Sequence, residues 1–558
     1  MIAGYDTAAI RAAEEPVLAE GAALMGQAAF AIAVRITAVL RSRHGQVSGA
    51  RVLVLVGGGN NGGDGLYAAA HLRRRGVGIT AAVLHERAHA GGLAEARAAG
   101  VPICHLGGRL SDTGAAQLAD LAGAADLWID ALAGIGVQGG LRGAAGQAVA
   151  VLSQLRAGRQ HAGRQHAGRQ HTGDAASAPG SGRSLAGGGA AAGPARPPLV
   201  VAVDTPSGIS ADPGPVPGQV LSADLTLTIG AHKAGLLLPP GAARAGRVEV
   251  LELPGLPPAA FSAHAPAIQR LSGADVAAIW PLPGPDDHKY RRGVVGVAAG
   301  SQRFPGAGVL CTAGALGVGV GMVRYLGSAA AAQHVVGAYP EVVTDPGRVQ
   351  AIAVGSGLGE GSELATALTH ARQVHGWTDD TDADLARPAP EQGAGVWDAG
   401  ALPHLPHHAG VVGRQRIVAT PHAGELADLL TRRGIETDRD QVEADPWHWA
   451  RRASEVTGAT VLLKGSITVV AGPDGTGYAQ ENGTNWMATA GTGDVLAGVL
   501  AAMLAQATPA VPTTTIAAAA ALVHGRAGQL ASAGGPLRAG ALAAAIPAAV
   551  RSVLTEDG

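Results

Sequence analysis

Along the first 255 residues, short runs of branched apolar residues alternate with longer stretches whose apolar positions recur at helical spacing. RVLVLVG from Arg51 reads as a strand, the segment closing in HLRRRG as a helix, and GITAAVL as a second strand, which makes a βαβ unit. VPICHL from Val101, DLWIDAL from Asp126, LVVAVDTP from Leu199, DLTLTIG from Asp224 and RVEVLEL from Arg247 continue the series. Strand and helix in alternation predict an α/β fold with a doubly wound, mostly parallel sheet.

The pattern lapses twice. Residues 156–198 carry AGRQH three times from Ala157, then Gly, Ser, Pro and Ala with almost no branched apolar side chains. Such a segment buries too little surface to offset its ordering entropy, so a disordered insertion is expected. PGLPPAAFSAHAP from Pro254 marks a boundary, giving a first domain over 1–255, a linker over 256–267 and a second domain over 268–558. The second series has strands at VVGVAAG from Val294, VQAIAVGSG from Val349, GAGVWDAGAL from Gly393, RIVATPH from Arg416 and ATVLLKG from Ala459. Residues 378–392 read as a solvated loop, and the chain from Gly491 onward as helices.

Composition narrows the function classes. The 41 Lys and Arg against 43 Asp and Glu leave a net charge of -2, which speaks against holding nucleic acid by bulk charge. Two cysteines make no disulfide framework, no basic leader precedes an apolar core, and the most apolar runs, such as Ile516–Val523, fall short of the roughly 18 residues a membrane helix needs. A cytoplasmic protein with no membrane or nucleic-acid partner is expected, as a homo-oligomer. Lysine occurs only at 233, 289 and 464, and asparagine only at 60, 61, 482 and 485. In a chain that otherwise uses arginine, a lysine marks a place where a compact point charge is needed.

GGGNNGGDG, Gly57 to Gly65, lies between a strand and a helix, where a glycine loop offers backbone N–H groups to an anion. Gly57, Gly59 and Gly62 fit G-x-G-x-x-G, and Glu86 after the second strand is placed to take a ribose hydroxyl. Asp64 adds a carboxylate that serves either a cation and hydroxyls or only as a helix cap. DALAGIG from Asp130 and VDTPSG from Val203 end strands where parallel sheets bind ligands. There Asp130, Ser207 and Asn61 offer hard oxygens to a cation, Asp204 a general base, and Lys233 a charge completing the site.

TAGTGDVLAG from Thr489 sets Gly491, Thr492 and Gly493 before a helix whose first turn holds Asp494. The amides suit a transferring phosphoryl group, and Asp494 suits a base for the attacking hydroxyl. LLKGSITVV from Leu462 places Lys464 between apolar strands, where a phosphate partner is expected. TPHAGE from Thr420 brings His422 and Glu425 to a strand-to-helix turn, and GSGLG from Gly355 and WDAGAL from Trp397 are further glycine-bearing strand ends.

In order and spacing, GGGNNGGDG, DALAGIG, VDTPSG and TIGAHKAG resemble the NAD(P)H-hydrate epimerases over residues 1–255, the insertion excluded. The resemblance implies a potassium ion on Asn61, Asp130 and Ser207, and hydrated NADH or NADPH (NADHX, NADPHX) against Asn60, Asn61, Gly62, Gly63, Asp64, Gly134, Ile135, Gly136 and Asp204. Ala133 and Ile135 replace the family's usual Phe and Thr. The second set, with HKYRRG from His288 and FPGAG from Phe304, is similar to the ADP-dependent NAD(P)H-hydrate dehydratases, members of the ribokinase-like superfamily, over residues 268–555. That similarity implies ADP as co-substrate with Mg2+, the nucleotide lying against Lys464, Gly465, Ser466, Ile467, Thr468 and Gly493. It implies the hydrate against Ala307, Gly357, His422 and Asp494. Gly400 stands where relatives often carry a second aspartate. The expected protein is a bifunctional isomerase and lyase that epimerises NAD(P)HX and dehydrates its S form, with Asp204 and Asp494 catalytic. The alternative is a small-molecule kinase carrying a silent N-terminal binding module.

Overall fold

The computed structural model describes residues 1–136, 139–171, 197–377, 393–407, 409–412, 415–481 and 483–556. The expected solvated loop at 378–392 lies outside these. Backbone contacts divide the chain into two units, Tyr5–Leu236 with Gly241–Ala265, and Met1–Gly4 with Leu237–Pro240 and Pro266–Gly558.

The strands in chain order begin with β1 (Ile2–Tyr5), β2 (Arg51–Val56), β3 (Gly78–Val83), β4 (Ile103–His105), β5 (Leu127–Ala131), β6 (Leu199–Val203), β7 (Leu225–Ile229), β8 (His232–Lys233) and β9 (Arg247–Leu251). Seven of them form the sheet of the first unit in the order β4-β3-β2-β5-β6-β7-β9, every neighbouring pair parallel. The order reverses between β2 and β5, so their carboxyl ends open the crevice where doubly wound sheets bind ligands. Helices α1 (Thr7–Ala19), α2 (Leu24–His44), α3 (Asn60–Arg74), α4 (Ala90–Ala98), α5 (Asp112–Ala124) and α6 (Gly143–His171) complete the unit. Val52, Val54 and Val56 face one apolar layer with Ile32 and Ile36 of α2, while Leu53 and Leu55 face the other with Leu118 of α5 and Leu152 of α6. The alternation of β2 between two covered faces is what its unbroken apolar run requires.

Two expectations need correction here. The low-complexity segment predicts disorder from residue 156, yet α6 continues to His171. Ala, Arg and Gln are good helix formers, and Arg156 and Arg159 anchor the helix to Asp224 and to the carbonyl oxygens of Ser222 and Gly123. Residues 172–196 lie outside the described part of the insertion. Secondly, α2 has 21 residues and a mean hydropathy of 1.4, so it is long and apolar enough to cross a membrane. Its buried face, Ala29, Ile32, Ala33, Ile36 and Leu40, instead belongs to the sheet's core, and Arg35 on the same helix pairs with Glu249.

The second unit adds β10 (Ile268–Arg270), β11 (Val294–Ala298), β12 (Met322–Tyr325), β13 (Ala351–Val354), β14 (Ala394–Trp397), β15 (Arg416–Ala419), β16 (Thr460–Leu463), β17 (Thr468–Ala471) and β18 (Gly477–Gln480). The order β12-β11-β13-β14-β15-β16 is parallel throughout, β17 turns back antiparallel to β16 and β18, and β10 joins β18 before pairing antiparallel with β1. Here the order reverses between β11 and β13. The C-terminal helices Thr492–Gln506, Thr513–Ser532 and Ala539–Leu554 are as expected. Their Ala- and Leu-rich surfaces pack with β11, β13 and the helix Pro305–Gly317 into the largest core cluster.

Candidate active sites

In the first unit the chain after β2 enters α3 through three glycines. A Cβ on Gly57 would lie 1.8 Å from the carbonyl oxygen of Leu132, and one on Gly62 would lie 2.3 Å from that of Gly57, so neither position accepts a side chain. This tight approach places Asn61 and Asp64, in the first turn of α3, against the loops after β5 and β6. Together they border a cleft of about 650 Å3 that also meets Arg11, Glu14, Gly134 and Ile135.

Two carboxylates of this cleft have opposite surroundings. Asp64 is buried, its Oδ1 has no hydrogen-bond partner, and burial, reinforced by the charges of Asp204 and Glu14, pushes its pKa up to about 8. Asp204, held at φ 64° at the end of β6, accepts from the Ile229 N–H at 3.1 Å and lies 2.5 Å from the Nζ of Lys233. Lys233 is itself buried and donates to the Ile229 carbonyl at 2.6 Å.

Beneath them Asp130 is fully buried. Its oxygens accept from the Ser207 hydroxyl at 2.5 Å, the Ser207 N–H at 2.8 Å and the Leu132 N–H at 3.3 Å. Burial raises its pKa against those bonds, and among the described residues no cationic side chain pairs with it. Asn61 Nδ2 donates to the Ala133 carbonyl at 2.9 Å, and Ser207 Oγ accepts from the Ala133 N–H at 2.9 Å. Asp130, Ser207, Asn61 and the Ala133 backbone are therefore tied into one hydrogen-bonded cluster around a buried carboxylate.

In the second unit the helix Thr492–Gln506 starts from Gly491 at φ 93° and carries Asp494 in its first turn. Burial, with the charge of Asp398 adding and that of Lys464 opposing, pushes Asp494 up to about 6. Asp398 follows β14 and is buried. It accepts from Lys464 Nζ at 2.9 Å, Thr420 Oγ at 2.8 Å and Ser356 Oγ at 2.7 Å. Lys464 also lies 3.6 Å from Glu425. Burial works to lower the Lys464 pKa, but Asp398 and Glu425 outweigh it and the net shift is upward. Asp398 is the residue that compensates the Lys464 charge in this structure. Below the helix start, His524 Nε2 meets the Thr492 carbonyl at 2.9 Å, and burial lowers its pKa to about 4, so the neutral ring is the donor.

Comparison with known proteins decides what these two crevices belong to. Residues 295–546 match a family model described as NAD(P)H-hydrate dehydratase, and residues 21–172 and 173–235 one described as YjeF-related protein N-terminus. The chain is 39% identical over 515 residues to the bifunctional NAD(P)H-hydrate repair enzyme Nnr of Mycobacterium tuberculosis, covering 90% of this chain and 89% of that one. The chain belongs to the bifunctional NAD(P)H-hydrate repair family. The NAD(P)H-hydrate epimerase of Clavibacter michiganensis is 40% identical over 253 residues, covering 45% of this chain and 90% of its own. A structure of the ADP/ATP-dependent NAD(P)H-hydrate dehydratase of Bacillus subtilis, co-crystallised with ATP and magnesium, covers 51% of this chain and 99% of its own at 24% identity, with a TM-score of 0.43. Membership in the repair family disfavours the small-molecule kinase.

Within this repair-family chain the residues expected from the sequence gather in two places. Asn60, Asn61, Asp64, Gly134, Ile135, Gly136 and Asp204 border the first cleft, with Asp130 and Ser207 beneath it, whereas Gly62 and Gly63 are buried in the first turn of α3 and do not line it. In the second unit Gly357 (φ 67°) abuts Ala307, whose Cβ would be 2.3 Å from a Cβ there, and His422 bridges in β fashion to Lys464. His422 caps the helix Ala423–Arg432 in a box with Glu425, its exposed Nε2 free of any bond shorter than 3.6 Å. Gly465 and Ser466 are exposed at the turn, Ile467 is buried, Thr468 opens β17, and Gly493 packs near the Lys464 ammonium. Gly400 cannot be a truncated aspartate in this backbone, since a Cβ would lie 2.0 Å from the Leu358 carbonyl oxygen. Among the described residues no group of three or more His, Cys, Asp or Glu is placed to hold a metal. Sequence reasoning missed Asp398, Ser356, Arg11 and Glu14. Asp398 carried a signal, the same strand-end aspartate before glycine that singled out Asp130, whereas Glu14 and Arg11 carried none.

Proposed function

We propose that the first unit interconverts the R and S epimers of hydrated NADH and NADPH, and that the second dehydrates the S form with ADP as phosphoryl donor, releasing AMP and phosphate. The observation that carries the reading is Asp494, half-buried in the first turn of a helix that starts from Gly491, beside Asp398 and Lys464, with burial pushing its pKa up to about 6. Such a group is largely ionised at neutral pH yet basic enough to accept the hydroxyl proton of the hydrate. Proton loss to Asp494 lets the hydroxyl oxygen take the β-phosphoryl group of ADP while AMP leaves. The C–O bond to the new phosphate then breaks, and loss of the neighbouring C–H proton restores the dihydropyridine double bond. The helix N-terminus, Gly493 and the ammonium of Lys464 stabilise negative charge on the transferring group. Magnesium would come with the nucleotide's phosphates, and no step is assigned to it.

We assign the epimerisation to breaking and remaking the C–O bond at the hydroxyl-bearing carbon. Asp64, protonated up to about pH 8, is suited to give a proton to the departing hydroxyl, and Asp204, paired with Lys233, to take one from the water that adds to the other face. A potassium ion held by Asn61, Asp130 and Ser207 would neutralise the Asp130 carboxylate and fix the DALAGIG loop that borders the cleft. Asp494→Ala separates the two activities: ADP-driven dehydration should vanish while epimerisation persists. Loss of both activities in a folded variant would refute the assignment.

A further inference from the structure

The second unit has another pocket, at the end of its sheet remote from Asp494. It measures about 590 Å3 and is lined by Val294, Gln350, Ala394 and Arg416, which open β11, precede β13, and open β14 and β15. Asp398 and Thr420, by contrast, follow the last residues of β14 and β15. A four-residue strand spans about 13 Å, so the two sites are separated by the thickness of the sheet's short axis.

The lining of this pocket is strongly one-signed. Arg291, Arg324, Arg348 and Arg416 converge on it with His288, and no Asp or Glu is among the residues that line it. In a chain of net charge -2, that local excess calls for a counter-charge. The neighbouring backbone supplies only part of an answer. Arg416 donates to the carbonyls of Ala507 at 3.4 Å, Thr508 at 3.5 Å and Val511 at 3.1 Å, and Arg324 to that of Asp345 at 2.7 Å. Carbonyl dipoles orient guanidinium groups but do not neutralise them. Arg291, Arg324 and Arg416 have no carboxylate within ion-pair distance among the described residues, and the Nε of Arg324, though shielded from solvent, has no hydrogen-bond partner. Burial also lowers the Arg416 pKa, the mark of a cation short of compensation.

We propose that this pocket is a second anion site, taking a ligand with a pyrophosphate or longer phosphate chain. Planar guanidinium forks pair with phosphate oxygens two at a time, and several forks arranged around one cavity suit several linked phosphates better than a single one. The volume accommodates a phosphate chain with an attached nucleoside, and Tyr290, half exposed at the rim, offers an aromatic face.

Hydrogen exchange of the full chain with and without inorganic tripolyphosphate tests the proposal. Tripolyphosphate should protect segments 288–294, 322–326 and 503–509, at a concentration that rises steeply with added salt. Arg291→Gln, on an exposed side chain, should weaken this protection about tenfold, and Arg324→Gln by as much or more, without altering the response of segments 462–468 and 489–495 to ADP. Absence of protection at saturating tripolyphosphate, or protection confined to 462–468 and 489–495, would overturn it. So would protection that survives Arg291→Gln unchanged, a result that does not depend on how well Arg324→Gln folds.

Discussion

Lys464 Nζ lies 2.9 Å from Oδ1 of Asp398, and this one contact ties the end of β14 to the end of β16 beneath Asp494. Both charges are largely withdrawn from water, so removing one strands the other. Lys464→Met should therefore lower the thermal stability of the second unit by about 2 kcal/mol or more and abolish dehydration, with epimerisation retained. Calorimetry together with the two activity assays checks this.

The pH dependence follows from the same cluster. With Asp494 titrating near 6, the rate of dehydration should rise as pH increases through that value, because only the carboxylate accepts a proton. Asp398 raises that pKa and Lys464 lowers it, so Asp398→Asn should move the inflection toward lower pH in whatever activity remains. An inflection that stays in place would show that Asp398 does not act on Asp494.

Asp64 makes the opposite prediction for the first unit. Its raised pKa means that the folded chain binds a proton the unfolded chain has lost between about pH 4 and pH 8, so this group's effect on stability becomes less favourable as pH rises through that window. Asp64→Asn should accordingly raise the melting temperature of the first unit at pH 8 and leave it little changed at pH 4. Epimerisation by the native protein should fall as pH rises past about 8, and should be absent in the variant.

Much of both crevices was legible because the chain marks strand ends with unusual residues. Asp130 and Asp204 stand at strand ends that lead into glycine-bearing loops, Asp494 follows Gly493 at the start of a helix, and all lie where the parallel sheets open. The rarity of lysine was equally informative at 233 and 464, both of which prove to be ion-paired to buried aspartates. The Asp398 partner of Lys464 was not legible, because pairing across β14 and β16 depends on sheet order, which no local pattern encodes. The helix over AGRQH was missed for a related reason: composition reports too little apolar surface, whereas Arg156 and Arg159 reach anchors supplied by distant segments. Helices α1 and α2 went unread, and with them Arg11 and Glu14, since their apolar positions gave no marker of a ligand.

Backbone contacts in the first cleft can be tested directly. Gly57→Ala would force a Cβ onto the Leu132 carbonyl, so it should destabilise the first unit by about 2 kcal/mol or more and impair epimerisation. Ser207→Ala removes the hydroxyl bonded to Asp130 and one oxygen of the proposed potassium site. Epimerisation in that variant should lose its response to exchange of potassium for sodium, read as initial rate against cation concentration.

The most direct test of the central claim is recovery of nicotinamide absorbance from a mixed-epimer NADHX sample, with ADP supplied and potassium present, corrected for spontaneous epimerisation. Complete recovery is predicted, since the first unit feeds the R epimer to the second. Recovery that stops at the S fraction, or none at all with ADP, would contradict the account.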